Sequence, residues 1–544
     1  MTSGPLIVQS DKTALLEVDH PQAADARHDL AIFAELERAP EHIHTYRITR
    51  LGLWNARAAG HDSDFVLGIL DKYAKFAIPG SVRSDITETM SRYGRLVIQR
   101  SPDGELELFS KDRAILLEAS RHRKIVELLD GPISNEAFRI QPWARGQVKQ
   151  ELLKLGWPAE DFAGYTEGTP HEISMQQGDW KVRDYQNQAV EKFWAGGSGV
   201  VVLPCGAGKT IVGAAAMAVA KTNTLILVTN TVSARQWKTE LMRRTTLTED
   251  EIGEYSGSLK EIKPVTIATY QILTTKRKSE YAHLALLNAN DWGLIVYDEV
   301  HLLPAPIFKM TADLQARRRL GLTATLVRED GKEGDVFSLI GPKRFDAPWK
   351  EIEAQGYIAP AACFEVRIDL PEEERLNYAI ASQEDRYRIS ATSGSKIPVI
   401  KALLAKHPSE PTLIIGQYLD QIHAVSAALN VSEITGETPI DERERLFEAF
   451  RTGEITCLVV SKVANFSIDL PEASVAIQIS GSYGSRQEEA QRLGRLLRPK
   501  ADGRSANFYT LIARDTIDQD FAQNRQRFLA EQGYSYEIID ADAL

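Results

Sequence analysis

Val200-Val201-Val202-Leu203-Pro204-Cys205-Gly206-Ala207-Gly208-Lys209-Thr210-Ile211-Val212-Gly213-Ala214-Ala215-Ala216 decides the fold. The run Val200–Leu203 is continuously apolar and rich in β-branched residues, which predicts a strand covered on both faces. Pro204, Gly206 and Gly208 break that run in a turn, and Ile211–Ala220 then follow with the small apolar residues of a buried helix. Strand, glycine turn and helix in this order form the unit of a parallel α/β sheet. In such a loop the backbone N–H groups of Cys205, Gly206, Ala207 and Gly208 turn inward around phosphates. Lys209 reaches the β- and γ-phosphates, and the Thr210 hydroxyl faces Mg²⁺ at the positive end of the helix. Leu203 stands where the usual loop begins with Gly.

Similar apolar runs recur downstream of this unit. Leu225–Val228, Thr266–Ala268, Leu294–Tyr297 and Leu320–Leu322 complete one set, and Leu413–Ile415, Leu458–Val460, Val475–Ile479 and Phe508–Leu511 form a second after Pro360. Helical segments lie between them, so the fold class is α/β, with two lobes in series. The first ~180 residues differ. Leu6–Val8, Leu15–Val18, Arg95–Ile98, Leu106 with Leu108, and Ala114–Leu117 predict strands, whereas 24–39, 61–76, 120–129 and 145–155 carry helical spacing. These are mixed α+β N-terminal domains. The acidic, Gly-rich stretch from Glu160 to Asp179 predicts a linker. The expected division is 1–100, 101–178, 179–345 and 346–544, in keeping with about 150 residues per domain for 544.

Composition excludes several classes. Hydrophobic residues at 43% and charged residues at 26% argue against large-scale disorder. A net charge of −11 excludes a bulk polycation, but not a local basic groove. Cys205, Cys363 and Cys457 are too far apart for a zinc ribbon or a disulfide framework, which suits a reducing compartment. No apolar stretch reaches the ~18 residues of a membrane span, and Met1–Pro5 lack a signal pattern, so a cytoplasmic protein is expected.

The second half of the phosphate site follows the run Leu294–Tyr297, whose C-terminal end delivers Asp298-Glu299-Val300-His301. Asp298 would hold Mg²⁺ through water, and Glu299 would orient or deprotonate the attacking water. These residues point to an NTPase. Arg492, Arg495 and Arg498 repeat every three residues, so Arg495 and Arg498 can share a helical face. Delivered across a cleft, they would stabilise charge on the transferring phosphoryl group. The second lobe has no phosphate loop of its own.

Gly206-Ala207-Gly208-Lys209-Thr210, Asp298-Glu299-Val300-His301, Thr323-Ala324-Thr325 and Gln491…Arg498, in that order, resemble superfamily 2 helicases. Leu203–Gly206, Asp298–Pro304, Leu320–Gly331 and Ser467-Ile468-Asp469-Leu470-Pro471 narrow the resemblance to the XPB family of DNA helicases, in a short prokaryotic form. It covers at least 181–535 and implies two tandem RecA-like lobes. Residues 1–100 and 101–178 would be an accessory domain and a damage-recognition-like domain. By resemblance, Arg183 and Gln186 read the adenine, Asp469 contacts ATP from the second lobe, and Arg328-Glu329-Asp330 open DNA. Thr231, Thr269, Gln417, Thr435 and Gly436 fall where the family grips the phosphates of one strand. Val463-Ala464-Asn465-Phe466 departs from the family's Gly-Asp-Thr type of sequence, and Glu372–Lys396 is shorter than its helical thumb.

The resemblance thus implies ATP- and Mg²⁺-dependent translocation along single-stranded or partly opened DNA, 3′→5′, in repair or transcription-linked opening of the duplex. A nuclease or repair protein would be the partner, the monomer the unit, and the nucleoid its place in a prokaryote. Two alternatives are a double-strand translocase that does not separate strands and a P-loop ATPase switch independent of nucleic acid. In the N-terminal part, Tyr73, Lys75 and Phe76, and Arg92, Tyr93 and Arg95, interleave aromatic and basic residues in a pattern that suits a nucleic-acid strand as well as an ordinary core.

Overall fold

The fold is described from a computed structural model covering residues 4–39, 42–176, 178, 180–204, 206–277, 280–283, 286–287, 289–304, 307, 314–315, 317–324, 333–347, 352, 361–461, 473–481, 506–531 and 536–544. Alternation of apolar and polar residues builds the first sheet. Strands β1 (Leu6–Val8), β2 (Thr13–Glu17), β3 (Ala34–Arg38) and β4 (Ile43–Ile48) pair antiparallel in the order β1-β2-β4-β3. Their buried face packs on α1 (Ala23–Leu30), α2 (Arg50–Ala58), α3 (Ser63–Tyr73) and α4 (Gly80–Arg92), and this core ends at Met90.

A second core begins at Leu96. Strands β5 (Leu96–Arg100), β6 (Leu106–Phe109), β7 (Leu129–Pro132), β8 (Ala137–Ile140) and β9 (Ala159–Asp161) form a sheet ordered β7-β8-β6-β5-β9. Helices α5 (Arg113–Arg121), α6 (Arg123–Val126) and α7 (Arg145–Leu155) complete it. Three sequence expectations are corrected here. A boundary at residue 100 would cut the β5–β6 hairpin, so the division falls before Leu96. Ala114–Leu117 lie in α5, whose N-terminus is capped by the Asp112 carboxylate, and residues 34–38 leave the expected helix to become β3.

Lobe 1 contains β10 (Gly199–Val202), β11 (Thr224–Val228), β12 (Ile252–Tyr255), β13 (Val265–Thr269), a small hairpin of β14 (Lys276–Arg277) and β15 (Glu280–Tyr281), β16 (Leu294–Asp298), β17 (Arg318–Thr323) and β18 (Lys343–Asp346). Apart from the hairpin, its strands form a seven-stranded parallel sheet ordered β12-β13-β11-β16-β17-β10-β18. Helices α8 (Asp184–Gly196), α9 (Lys209–Ala220), α10 (Thr231–Arg244) and α11 (Tyr270–Thr274) connect them. Both faces are covered. Leu225 and Leu227 of β11 enter one core with Trp292 and Tyr297, and Ile226 and Val228 enter the other with Val212 and Trp237. Lobe 2 repeats the plan. Strands β19 (Ala361–Ile368), β20 (Thr412–Gly416), β21 (Glu433–Ile434), β22 (Cys457–Ser461), β23 (Val475–Gln478), β24 (Ala506–Ala513) and β25 (Tyr536–Asp540) are parallel, in the order β21-β22-β20-β23-β24-β19-β25.

The expected linker is instead strapped to lobe 1. Its Thr169 N–H donates to the Asp291 carbonyl at 2.9 Å, the His171 N–H to the Lys221 carbonyl at 3.0 Å, and the Asn223 N–H to the Thr169 carbonyl at 2.9 Å. Gly168 (φ +79°) lies so close to Gly293 that a Cβ on it would come within 2.3 Å of the Gly293 nitrogen. The N-terminal domains dock on the same lobe. Asn55 Oδ1 of α2 accepts from the Lys343 N–H of edge strand β18 at 2.8 Å, and Gln150 Nε2 of α7 donates to Asp335 Oδ1 at 2.9 Å.

Behind this seam, Arg145 and Lys149 both bond the Asp161 carboxylate, at 2.8 and 2.9 Å, with all three side chains at most 11% exposed. The Tyr165 ring lies within cation–π range of Arg145, Arg318 and Arg319. Burial pushes the Asp161 carboxyl up, but Lys149 and Arg145 together outweigh it and hold it well below the usual carboxylate range. A depressed folded-state pKa gives stability that is present above the unfolded value of about 4 and lost as pH falls below it. Asp161→Asn leaves two buried cations without their anion and should cost about 3 kcal/mol at pH 7. The gap from wild type, measured by thermal denaturation, should narrow as pH falls below about 4; a gap independent of pH would refute the ion-pair origin.

Candidate active site

The phosphate loop hangs between two parallel strands. Leu203 N–H donates to the Thr323 carbonyl at 2.9 Å, which fixes the exit of β10 to the end of β17, and Ala207 N–H closes a turn on the Pro204 carbonyl at 3.2 Å. Gly206 and Gly208 have φ of +82° and +83°, in the left-handed region where a Cβ is disfavoured. A Cβ on Gly208 would also come within 2.5 Å of Gln186 Nε2. Lys209 opens α9 from this loop, with Thr210 beside it.

The Lys209 ammonium pairs with Glu299, both side chains being 13–14% exposed. Glu299 adopts φ +50°, unusual for a residue with a side chain, at the sharp turn between β16 and the short helical turn Val300–Leu302. Burial would raise the Glu299 carboxyl, but Lys209, His301 and the Ala324 N–H outweigh burial and lower it. Among the described residues Asp298 makes no ion pair of its own. Burial and the neighbouring Glu299 charge push its carboxyl up to about 6. Its Oδ2 accepts from Trp237 Nε1 at 2.9 Å, its Oδ1 from the Glu299 N–H at 3.1 Å, and its backbone carbonyl from the Tyr270 hydroxyl at 2.8 Å. His301 Nδ1 lies 2.6 Å from Thr323 Oγ1 and 3.6 Å from Glu299 Oε2, so the end of β17 is bonded to the acidic turn.

Several of the expected site residues have partners within the fold. Gln186 is fully buried; its Oε1 accepts from the Arg183 N–H at 3.0 Å and its Nε2 donates to the Ala207 carbonyl at 2.9 Å. Tyr185 OH donates to the same carbonyl at 2.7 Å, and Arg183 Nη1 donates to Tyr185 OH at 3.0 Å. The Gln186 amide thus braces the phosphate loop through its Nε2 and the start of α8 through its Oε1. Thr269 is 4% exposed and its Oγ1 caps α11, while Thr435 is 5% exposed and its Oγ1 accepts from the Glu437 N–H at 3.2 Å. Each hydroxyl oxygen accepts one hydrogen bond within its turn. Thr231 and Gly436 are exposed, and the Gln417 N–H donates to Ser480 Oγ at 2.8 Å. Tyr73 is buried with its hydroxyl on Asp29, Tyr93 is half-buried with its ring edge-on to Phe337, and Phe76 is exposed. Residues 372–391 form a short helical hairpin, with Leu376 and Ile380 exposed.

Cys205, Arg328, Glu329, Asp330, Asp469, Arg495 and Arg498 lie outside the described residues. Trp237 stands outside the sequence expectations, because Ala234, Trp237 and Leu241 repeat at helical spacing and read as core. The one available signal was that a buried indole N–H or phenol requires a polar partner.

The described assembly brings a phosphate loop, two carboxylates and a histidine to the C-terminal ends of adjacent parallel strands. Residues 179–328 match the family "Type III restriction enzyme, res subunit", residues 352–543 match "ERCC3/RAD25/XPB C-terminal helicase", and residues 6–131, across both N-terminal sheets, match "Helicase conserved C-terminal domain". The chain is 66% identical to a DNA 3′-5′ helicase XPB of Kineococcus radiotolerans, covering 100% of this chain and 97% of the relative. It is 64% identical to the protein of that name from Mycobacterium tuberculosis, covering 100% and 99%. At 30% identity, covering 99% and 72%, it is similar to the general transcription and DNA repair factor IIH helicase/translocase subunit XPB/SSL2 of Saccharomyces cerevisiae. With the phosphate loop and acidic turn in one lobe and these relatives matched along its whole length, the chain belongs to the XPB family of DNA helicases.

Proposed function

We propose that the protein is a DNA-dependent ATPase that couples ATP hydrolysis to 3′→5′ movement along DNA and to opening of the duplex, in a repair or transcription-linked process. The observation that carries this reading is the Lys209–Glu299 pair beside Asp298 at the joint ends of β10, β17 and β16. Polarity and setting are supported by the relatives, which are named as 3′-5′ helicases and as a subunit of a transcription and repair factor.

The geometry suits hydrolysis as follows. A triphosphate entering the loop competes for the Lys209 ammonium and releases Glu299, whose carboxylate can then orient water and accept its proton. His301 and the Ala324 N–H keep that carboxylate in place after Lys209 has left. No group of three or more His, Cys, Asp or Glu side chains among the described residues can cage a metal ion. Asp298, with its raised carboxyl, and Thr210 fit Mg²⁺ held by few protein oxygens, with the nucleotide supplying the rest. Bound there, Mg²⁺ would neutralise phosphate charge. Arg495 and Arg498, with Asp469, would complete the site from lobe 2, and Arg328-Glu329-Asp330 would act on the duplex.

Lys209→Ala should lower ATP turnover about a hundredfold or more while DNA binding persists. Glu299→Gln should bind ATP without turning it over, since it removes only the proton acceptor. Normal turnover in either variant would overturn the site. Arg498→Ala should reduce kcat by about 10³ with little change in nucleotide affinity; an equal loss of affinity and rate would make it a phosphate clamp. Replacing Arg328, Glu329 and Asp330 with Ala should spare DNA-stimulated ATPase and abolish strand displacement on a tailed duplex. Wild-type strand displacement would remove the triplet from the opening step.

A further inference from the structure

Two buried aromatic side chains that take no direct part in hydrolysis both end on Asp298. Trp237 (2% exposed) lies on α10, seven residues after the N-cap Asn230, and its indole N–H reaches Asp298 Oδ2 at 2.9 Å. Tyr270 (3% exposed) is the first residue of α11, directly after Thr269, and its hydroxyl reaches the Asp298 carbonyl at 2.8 Å. One bond fixes the carboxylate and the other fixes the backbone that carries it.

Each aromatic comes from a different strand-to-helix connection at the same end of the sheet. β11 pairs with both β13 and β16, and Val228 stands opposite Thr269, so the connections β11–α10 and β13–α11 open side by side next to Asp298. Trp237 has little freedom toward α9: a Cβ on Gly213 would come within 2.4 Å of its ring. The indole therefore moves with α10. A shift of α10 by about 1 Å would carry a 2.9 Å hydrogen bond beyond its normal range.

We propose that Trp237 and Tyr270 are positioning residues that tie Asp298 to the β11–α10 and β13–α11 connections, so that DNA held at those connections sets the carboxylate for hydrolysis. This rests on the reading of Asp298 as the magnesium-holding carboxylate and of the two connections as strand contacts. A purely structural role would stabilise lobe 1 without regard to DNA. The two roles differ in what DNA does to the rate.

The test uses the full chain and steady-state ATP turnover with and without single-stranded DNA. Trp237→Phe removes the indole N–H, and Tyr270→Phe removes one oxygen while keeping the ring, so the latter should fold even if the former is unstable. Each should lower the ratio of DNA-stimulated to unstimulated kcat by about tenfold. KM for ATP, and affinity for a labelled single strand by anisotropy, should stay within about twofold. An unchanged ratio, including one in which both rates fall together, overturns the proposal and leaves a structural buttress. Asp298→Asn separates the two readings, because it should abolish turnover with and without DNA. If Asp298→Asn remains active, the site assignment fails; if it is dead while both phenylalanine variants keep full stimulation, only the coupling fails.

Discussion

One buried positive charge faces two adjacent carboxyl groups, and the strand order makes that encounter unavoidable. β17 lies between β10 and β16, so the phosphate loop and the acidic turn start about 10 Å apart, two strand spacings. The Lys209 side chain crosses that gap to Glu299. The end of β17 fills the space beneath, with Thr323 against His301 and the Ala324 N–H on the Glu299 carboxylate. Glu299 takes the cation, whereas for Asp298 burial and the adjacent Glu299 charge outweigh Lys209 and the neutral donors, so their carboxyls shift in opposite directions. An extra strand between β10 and β16 would put the ammonium out of reach.

The N-terminal domains extend the same lobe rather than standing apart from it. Asn55 accepts from the Lys343 N–H of edge strand β18, and the Arg344 guanidinium donates to the Ser198 and Gly196 carbonyls while approaching that of Ala58. Arg319, although fully buried, directs its donors to the backbone carbonyls of Leu339, Leu314, Gln315 and Arg317. Its charge is thus solvated by peptide dipoles while its face lies near Tyr165. Lobe 2 has its own buried pair, Lys396 with Asp518, both 1% exposed, and Lys396 also bonds the Ile479 carbonyl at 2.8 Å.

Legibility in the sequence followed burial. Interior parallel strands such as β11 and β16 are apolar on both faces and stand out as unbroken runs. The strands without that signal are chiefly sheet edges: β12, β18, β21 and β25 are half solvated, and Lys343-Arg344-Phe345-Asp346 is mostly polar. β19 is interior, but it carries Glu365, whose buried charge is met by Arg367 and Gln526, so its pattern looks like surface. Ala114–Leu117 satisfies a short strand and a buried helix turn equally, and the Asp112 cap decided between them. The phosphate loop and acidic turn were legible because backbone geometry imposes Gly206 and Gly208 there. The bracing of the loop by Gln186 and Tyr185 was not, since it depends on how α8 crosses β10.

The docking of α2 on β18 also bears on how the chain is assembled during synthesis. The Arg145–Lys149–Asp161 cluster closes within a span of 16 residues, so it can form as soon as the second domain emerges. Asn55 waits much longer, because its partner Lys343 follows it by 288 positions in the chain. Until lobe 1 is complete, the face of α2 meant for β18 is exposed on a finished N-terminal domain, and afterwards Asn55 occupies the Lys343 N–H on the β18 edge. A two-lobe fragment released from these domains would lose that cover on the Lys343 N–H, and its β18 edge would offer one more open donor to a neighbouring copy.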